Sequence, residues 1–218
     1  YLFLKKRGNM ESIVKYFNGL SDHQIQQLSQ LKSLYEEWNE KINVISRKDM
    51  DDFYLHHVLH SLTLTSFIKF ASGTTILDLG CGGGFPGIPL AIFYPDVHFT
   101  LIDGTGKKIK VVQAVSDALE LKNITAIHTR AESHKGQYHF VISRAVATLH
   151  ELLNWSFDKW KKEQINALPN GLIAYKGGDL NLEIKEIKKG NYIEKWDIFD
   201  KFPEPYFAEK YLIYVQKK

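Results

Sequence analysis

The sequence predicts an α/β fold with a mostly parallel seven-stranded sheet, and three observations carry that reading. From about residue 73, β-rich runs alternate with helical patterns. A glycine-dense loop follows the first of those runs. The last two β-rich runs are joined without a helix. Strands separated by helices form parallel βαβ units, whereas strands joined directly form an antiparallel hairpin.

The strands are expected at 75–79, 98–103, 124–129, 138–143, 171–175, 191–199 and 211–216. Helices fall between them at about 107–121 and 148–166, and Phe202-Pro203-Glu204-Pro205 joins the last two strands. Ahead of the sheet, residues 21–42 read as an amphipathic helix. Ser21 and Gln24 form a capping-box pattern there, and Ile25, Leu28, Leu31, Tyr35, Trp38 and Ile42 line one face. A second helix is expected over 49–68, entered through Asp49 or Asp51, with Phe53, Leu59, Leu62 and Phe67 apolar. Residues 1–70 are read as a tail and helical cap and 71–218 as a ligand-binding domain, the two forming a single compact unit. Met10 reads as a more natural initiator than Tyr1, which makes residues 1–9 an upstream addition.

Composition narrows the class. At 218 residues and 44% hydrophobic content, the chain has material for one sizeable core. It has no apolar run of eighteen residues, so no transmembrane helix is expected. One cysteine permits no internal disulfide and fits the cytoplasm. A net charge of +3 allows a nucleic-acid partner without requiring one.

The densest signal is Asp78-Leu79-Gly80-Cys81-Gly82-Gly83-Gly84-Phe85-Pro86-Gly87, with five glycines in eight residues after a strand. Such a loop lets the backbone approach a ligand beyond the carboxyl ends of the strands. Gly82, Gly84 and Gly87 satisfy the dinucleotide pattern G-x-G-x-x-G, but its first glycine comes too late, two residues after Gly80. The Asp-x-Gly-x-Gly register from Asp78, through Gly80 and Gly82, fits better. It resembles motif I of S-adenosylmethionine enzymes, in which the acid helps to position the amino-acid end of the cofactor. Asp103, nineteen residues beyond Gly84 at a strand end, can accept both ribose hydroxyls of an adenosine.

Five further stretches occur in order: Trp38-Asn39-Glu40-Lys41-Ile42-Asn43, Gly84-Phe85-Pro86-Gly87-Ile88-Pro89-Leu90, Arg130-Ala131-Glu132, Ser143-Arg144-Ala145 and Tyr175-Lys176-Gly177. With them the chain resembles the glucose-inhibited division protein B family, bacterial enzymes that methylate N7 of a guanine in 16S ribosomal RNA. The resemblance implies a Rossmann-like class I methyltransferase fold using S-adenosyl-L-methionine. It places cofactor contacts on Gly80, Phe85, Ala131, Glu132 and Arg144, with Arg144 beside the methyl-transfer position. It also implies a 16S ribosomal RNA or small-subunit partner and no membrane or metal. Two departures stand out. The family's His-Leu-Leu-Asp-Ser-Leu reads His57-Val58-Leu59-His60-Ser61-Leu62 here, so an acid has become His60. Gly104 stands where a serine more often follows the aspartate.

Other features read as bland. His56 and His60 mimic a zinc helix pattern, but His57 replaces its general base and no third ligand presents itself. Cys81 reads as a small filler. Lysine clusters at 107–110, 159–162, 185–189 and 217–218 read as solvated faces, with Lys107, Lys108 and Lys110 placed on the ligand edge to meet phosphates. Ser143-Arg144-Ala145-Val146 stands where amino-group methylation uses Asn/Asp-Pro-Pro-aromatic, and carbon methylation would need a catalytic cysteine. A guanine N7 needs no general base. Three alternatives remain at this stage: a small-molecule or protein methyltransferase, a nicotinamide oxidoreductase, and a non-catalytic RNA-binding module.

Overall fold

The computed structural model describes residues 10–144 and 146–217. Residues 1–9, Ala145 of the Ser-Arg-Ala stretch and Lys218 of the last lysine cluster lie outside them. Seven strands form one sheet: β1 (Thr75–Leu79), β2 (His98–Asp103), β3 (Ile124–His128), β4 (Phe140–Arg144), β5 (Gly171–Gly177), β6 (Asn191–Asp197) and β7 (Lys210–Lys217). Their order is β3-β2-β1-β4-β5-β7-β6. The first five run parallel, and β7 pairs antiparallel with both β5 and β6. The order reverses between β1 and β4, the switch point at which open α/β sheets bind ligands.

Alternation of side chains divides the core between the two faces of the sheet. Ile76, Phe99, Phe140, Ile142 and Ile173 face one helical layer. That layer comprises α1 (Glu11–Tyr16), α2 (Asp22–Asn39), α3 (Arg47–Asp51), a helical run from Tyr54 to Ser66, α4 (Gly87–Phe93) and α5 (Gly106–Ala118). Leu77, Val141, Leu172 and Ile213 face the other way, against α6 (Leu149–Ser156) and α7 (Asn181–Ile187).

Helix α2 begins with the expected reciprocal capping box between Ser21 and Gln24. Its face is less apolar than expected, because Ile25 is exposed. Two glutamines do that part of the seating. Gln24 Nε2 donates to the carbonyls of Ile92 and Phe93, and Gln27 Nε2 to that of Leu119. Both thereby satisfy carbonyls freed at the ends of α4 and α5. The helix stops at Asn39, whose side chain accepts from Val44 and Ile45 N–H and folds back the chain that follows Ile42.

Three other expectations shift. The helix expected over 49–68 is broken. Ser46 caps a short α3, and a separate run follows that is π-helical over Tyr54–Leu59, α-helical over His60–Leu62 and 3-10 over Thr63–Ser66. The helix expected to reach 166 ends at Ser156, because the backbone of Lys159 and Lys161 bonds to Tyr138 beside β4. Lys159 is therefore buried against Asp158 rather than solvated. Helices α1 and α7 went unread in the sequence.

Tyr35 carries the contact between the cap and the glycine loop. It is wholly buried and donates its hydroxyl to the Gly83 carbonyl at 2.5 Å. Tyr35→Phe should destabilise the fold by about 1–3 kcal/mol, since a buried carbonyl loses its donor. Urea unfolding measures this, and an unchanged midpoint contradicts it.

Candidate active site

The glycine loop leaves β1 and is pinned from below. Asp78 is wholly buried, and its Oδ2 accepts from Gly87 N–H at 2.8 Å at the start of α4. A Cβ on Gly87 would lie 2.7 Å from that same oxygen, so only glycine fits there. Burial pushes the Asp78 carboxyl up to about 7, against the pull of Gly87 N–H and Arg144. Its Oδ1 is buried with no hydrogen-bond partner among the described residues. Above the loop, Asp103 Oδ2 accepts from Gly82 N–H at 3.0 Å and Oδ1 from Thr105 N–H at 2.7 Å. A carboxylate has about four acceptor positions, so both oxygens keep capacity for hydroxyl donors.

Two cavities open at this edge of the sheet. The smaller, about 290 Å³, is lined by Gly80, Ile102, Asp103, Ala131, Glu132 and Trp155, among others. Its mix of apolar walls and a strand-end carboxylate fits an adenosine. Gly80, Asp103, Ala131 and Glu132 thus come together. Gly82 reaches the group through Asp103. Gly84 does not join it, because the side of Gly84 where a Cβ would stand meets Ile88 and Tyr35. That geometry does not support the dinucleotide pattern through Gly84. Asp78 acts beneath the loop, through Gly87.

The larger cavity, about 750 Å³, lies against the ends of β4, β5 and β7 and the π-helical segment. Arg144 closes β4 there, half-buried. Its Nη1 donates to the His56 carbonyl at 3.3 Å, and its Nη2 lies 3.1 Å from His57 Nδ1. Arginine only donates, so Nδ1 accepts and the proton of a neutral His57 sits on Nε2. The guanidinium carbon stands 5.4 Å from the centre of the buried Phe85 ring, which itself packs on Tyr35 and His57. Among the described residues Arg144 forms no ion pair with a carboxylate. Burial, and secondarily the Arg144 charge, holds His57 down at about 3. Burial likewise pushes His60 well below its usual value.

The carboxylates on this cavity are engaged. Asp49 bonds Ser46 and His56, Glu151 bonds the Thr148 cap, and Glu183 pairs with Lys176 at 2.8 Å and accepts from Leu149 N–H. His56 stacks on Tyr206 at 4.0 Å, and His60 meets Tyr175, Tyr206 and Phe207 edge-on. Among the described residues no three His, Cys, Asp or Glu side chains are grouped to hold a metal. Cys81 is buried. Lys107, Lys108 and Lys110 lie on the first turns of α5 and line neither cavity. Lys176 and Lys210 are the lysines lining the larger cavity. The sequence reading missed His57 as the partner of Arg144, although its motif was in view. Nothing in the sequence singled out Tyr206 or Trp155.

The switch-point loop, the strand-end acid and the two adjoining cavities define an S-adenosylmethionine-dependent methyltransferase. The fold agrees. Over 93% of this chain and 100% of the other, the chain matches magnesium protoporphyrin IX methyltransferase from Synechocystis PCC 6803 with bound SAM, with a TM-score of 0.60 at 16% identity. It also matches the T. thermophilus 16S rRNA N2 G1207 methyltransferase in complex with AdoMet and guanosine, with a TM-score of 0.54 at 14% identity, over 80% of this chain and 44% of that one.

The family model described as GidB, rRNA small subunit methyltransferase G, matches residues 24–198, and this chain belongs to that family. It is 49% identical over 209 residues to ribosomal RNA small subunit methyltransferase G of Flavobacterium johnsoniae, covering 96% of this chain and 99% of the relative. The corresponding protein of Parabacteroides distasonis is 50% identical over 203 residues, 93% of this chain and 87% of the relative.

If His57 holds Arg144 through an acceptor atom, His57→Asn should keep much of the turnover, because its amide oxygen can take the place of Nδ1. His57→Leu should lose about tenfold or more, consistent with a lost hydrogen bond to a charged group. Equal turnover in the two variants would contradict this. His57 also predicts a pH dependence. The unfolded chain takes up this proton near 6.5 and the folded chain near 3, so acidification across that window favours unfolding. His57→Leu should flatten that part of the stability profile, measured by urea unfolding from pH 7 to pH 4.

Proposed function

We propose that this chain transfers the methyl group of S-adenosylmethionine to N7 of a guanine in 16S ribosomal RNA, in the cytoplasm, on RNA free or assembled in the small subunit. The observation that carries this reading is the state of the larger cavity. Its carboxylates are held in hydrogen bonds and ion pairs, His56 is bonded to Asp49 and stacked on Tyr206, and burial makes His57 and His60 poor proton acceptors. Such a cavity suits an acceptor that has a lone pair ready and loses no proton. Guanine N7 is one.

The cofactor, when bound, supplies an activated methyl on a sulfonium. The rest falls to the chain. Gly80, Ala131, Glu132 and Trp155 wall the adenosine side, and Asp103 accepts from the ribose. Asp78 keeps the loop in place beneath the amino-acid end through its bond to Gly87 N–H. Arg144, held by His56 and His57, has N–H groups left over for an acceptor such as guanine O6, the neighbour of N7. Phe85 backs the guanidinium. Displacement is in line, so this alignment of donor and base is the main service the site performs. No proton needs to be moved.

Lys210 lines the cavity that would take the base, with Lys176 beside it paired to Glu183, and Lys107, Lys108 and Lys110 stand on the first turns of α5 as further cations for phosphates. Lysines on phosphates make binding fall as salt rises but do not choose the base. A guanine in a loop can enter the cavity, whereas side chains cannot read the deep major groove of paired RNA.

Small subunits from cells lacking the enzyme, incubated with chain and cofactor, should give one new strand break after mild reduction and aniline treatment. A methylated N7 makes its glycosidic bond labile. Asp103→Ala should abolish the break and weaken cofactor binding by about 2 kcal/mol or more, as charge-assisted hydrogen bonds are lost. Methyl label that enters RNA without creating a break would exclude N7.

A further inference from the structure

We infer that Val146 is the contact residue between the methyl donor and the acceptor base, and that it determines how the base edge meets the methyl. The inference rests on the reading above. Of the described residues, Val146 alone lines both cavities. It is 43% exposed, an apolar side chain left open at the place where the two spaces meet.

Its seat is built for it. A Cβ on Gly80 would lie 2.6 Å from Val146 Cγ2 and 2.9 Å from Cγ1. The bare backbone of Gly80, at φ +71°, is therefore what lets the valine methyls lie against the loop. The chain around it is held from two sides. Arg144 precedes it at the end of β4. Downstream, Lys176 Nζ donates to the Ala147 carbonyl at 2.9 Å, and Glu183 accepts from Leu149 N–H at 2.8 Å. Those two partners are themselves an ion pair.

The chemistry favours this kind of side chain. The N7 lone pair lies in the plane of the base and points outward, so the line from sulfur through methyl to nitrogen lies in that plane and meets the base edge head-on. A guide for that approach has to be small beside the reacting line. It also has to be apolar, so that it neither competes as a nucleophile nor draws water in, and stiff enough to hold its position. Valine has two methyls on Cβ and a restricted χ1. Arg144 stands on the same side of the cavity to hold the base, and Val146 limits its tilt. A misplacement of about 1 Å here is enough to cost about 100-fold in rate.

The test exploits the lone native cysteine, Cys81, which is buried and whose thiol is pushed well above its usual value by burial. It will react slowly, so Val146→Cys introduces one accessible thiol. Alkylation of that thiol by iodoacetamide is followed alone, with S-adenosylhomocysteine, and with small subunits from cells lacking the enzyme. Each ligand by itself should slow alkylation about tenfold or more, as expected for a thiol covered from either side. Protection by only one of them, or by neither, overturns the inference. A second variant reads the same position through turnover. Val146→Ala, which leaves the seat against Gly80 unstrained, should lose about 100-fold in methyl transfer but no more than about tenfold in S-adenosylhomocysteine binding. Equal losses in the two, or near-parental transfer, also overturn it. The unmodified chain is run beside both variants. If it leaves subunit RNA unmethylated, the ribosomal reading fails and this inference with it; an active parent isolates the question of Val146.

Discussion

One buried hydrogen bond organises this molecule: Asp78 to the amide of Gly87, beneath the glycine loop. Its carboxyl sits in the core with burial working against its charge, and the amide belongs to the first turn of α4. The bond fixes where the loop ends, because Gly87 cannot retreat and has no room for a side chain. With both ends fixed, the middle of the loop presents Gly82 N–H to Asp103 above and the Gly83 carbonyl to Tyr35 on the cap. The loop thus ties three layers together: the sheet, the cofactor side and the N-terminal helices.

The second organising feature is the π-helical segment over Tyr54–Leu59. Such wide turns are uncommon and concentrate at functional sites. Here the turn offers Arg144 a carbonyl from His56 and a ring nitrogen from His57. Both partners are neutral. Tyr206 reaches the same region from the connection before β7, so the antiparallel hairpin contributes to the larger cavity as well as closing the sheet.

The strands were legible because each is a short β-rich run set by period and punctuation, and the loop was legible because its glycines are dense. Asp103 followed from a strand end, and Ala131-Glu132 from the family resemblance. What escaped has physical reasons. Apolar periodicity cannot see Gln24 and Gln27 seating a helix through carbonyls, so Ile25 was misplaced on the buried face. It cannot see a π turn either, since the spacing of apolar residues changes little over one turn. The helix ending at Ser156 rather than near 166 reflects pairing of Lys159 and Lys161 with Tyr138, a contact made only in the folded chain. Gly84, grouped with the ligand loop by its motif, is closed on its Cβ side by Ile88 of α4 and Tyr35 of the cap.

The neutral cradle around Arg144 has a consequence for how the site lets go. On the proposed reaction a guanine arrives uncharged and departs with a fixed positive charge at its methylated nitrogen. The arginine nearest to it has no carboxylate partner among the described residues to cancel its own charge. Like charges in a half-buried pocket repel far more strongly than in water. The cavity therefore holds the unmodified base better than the modified one, and each turnover ends with the enzyme electrostatically opposed to its own product.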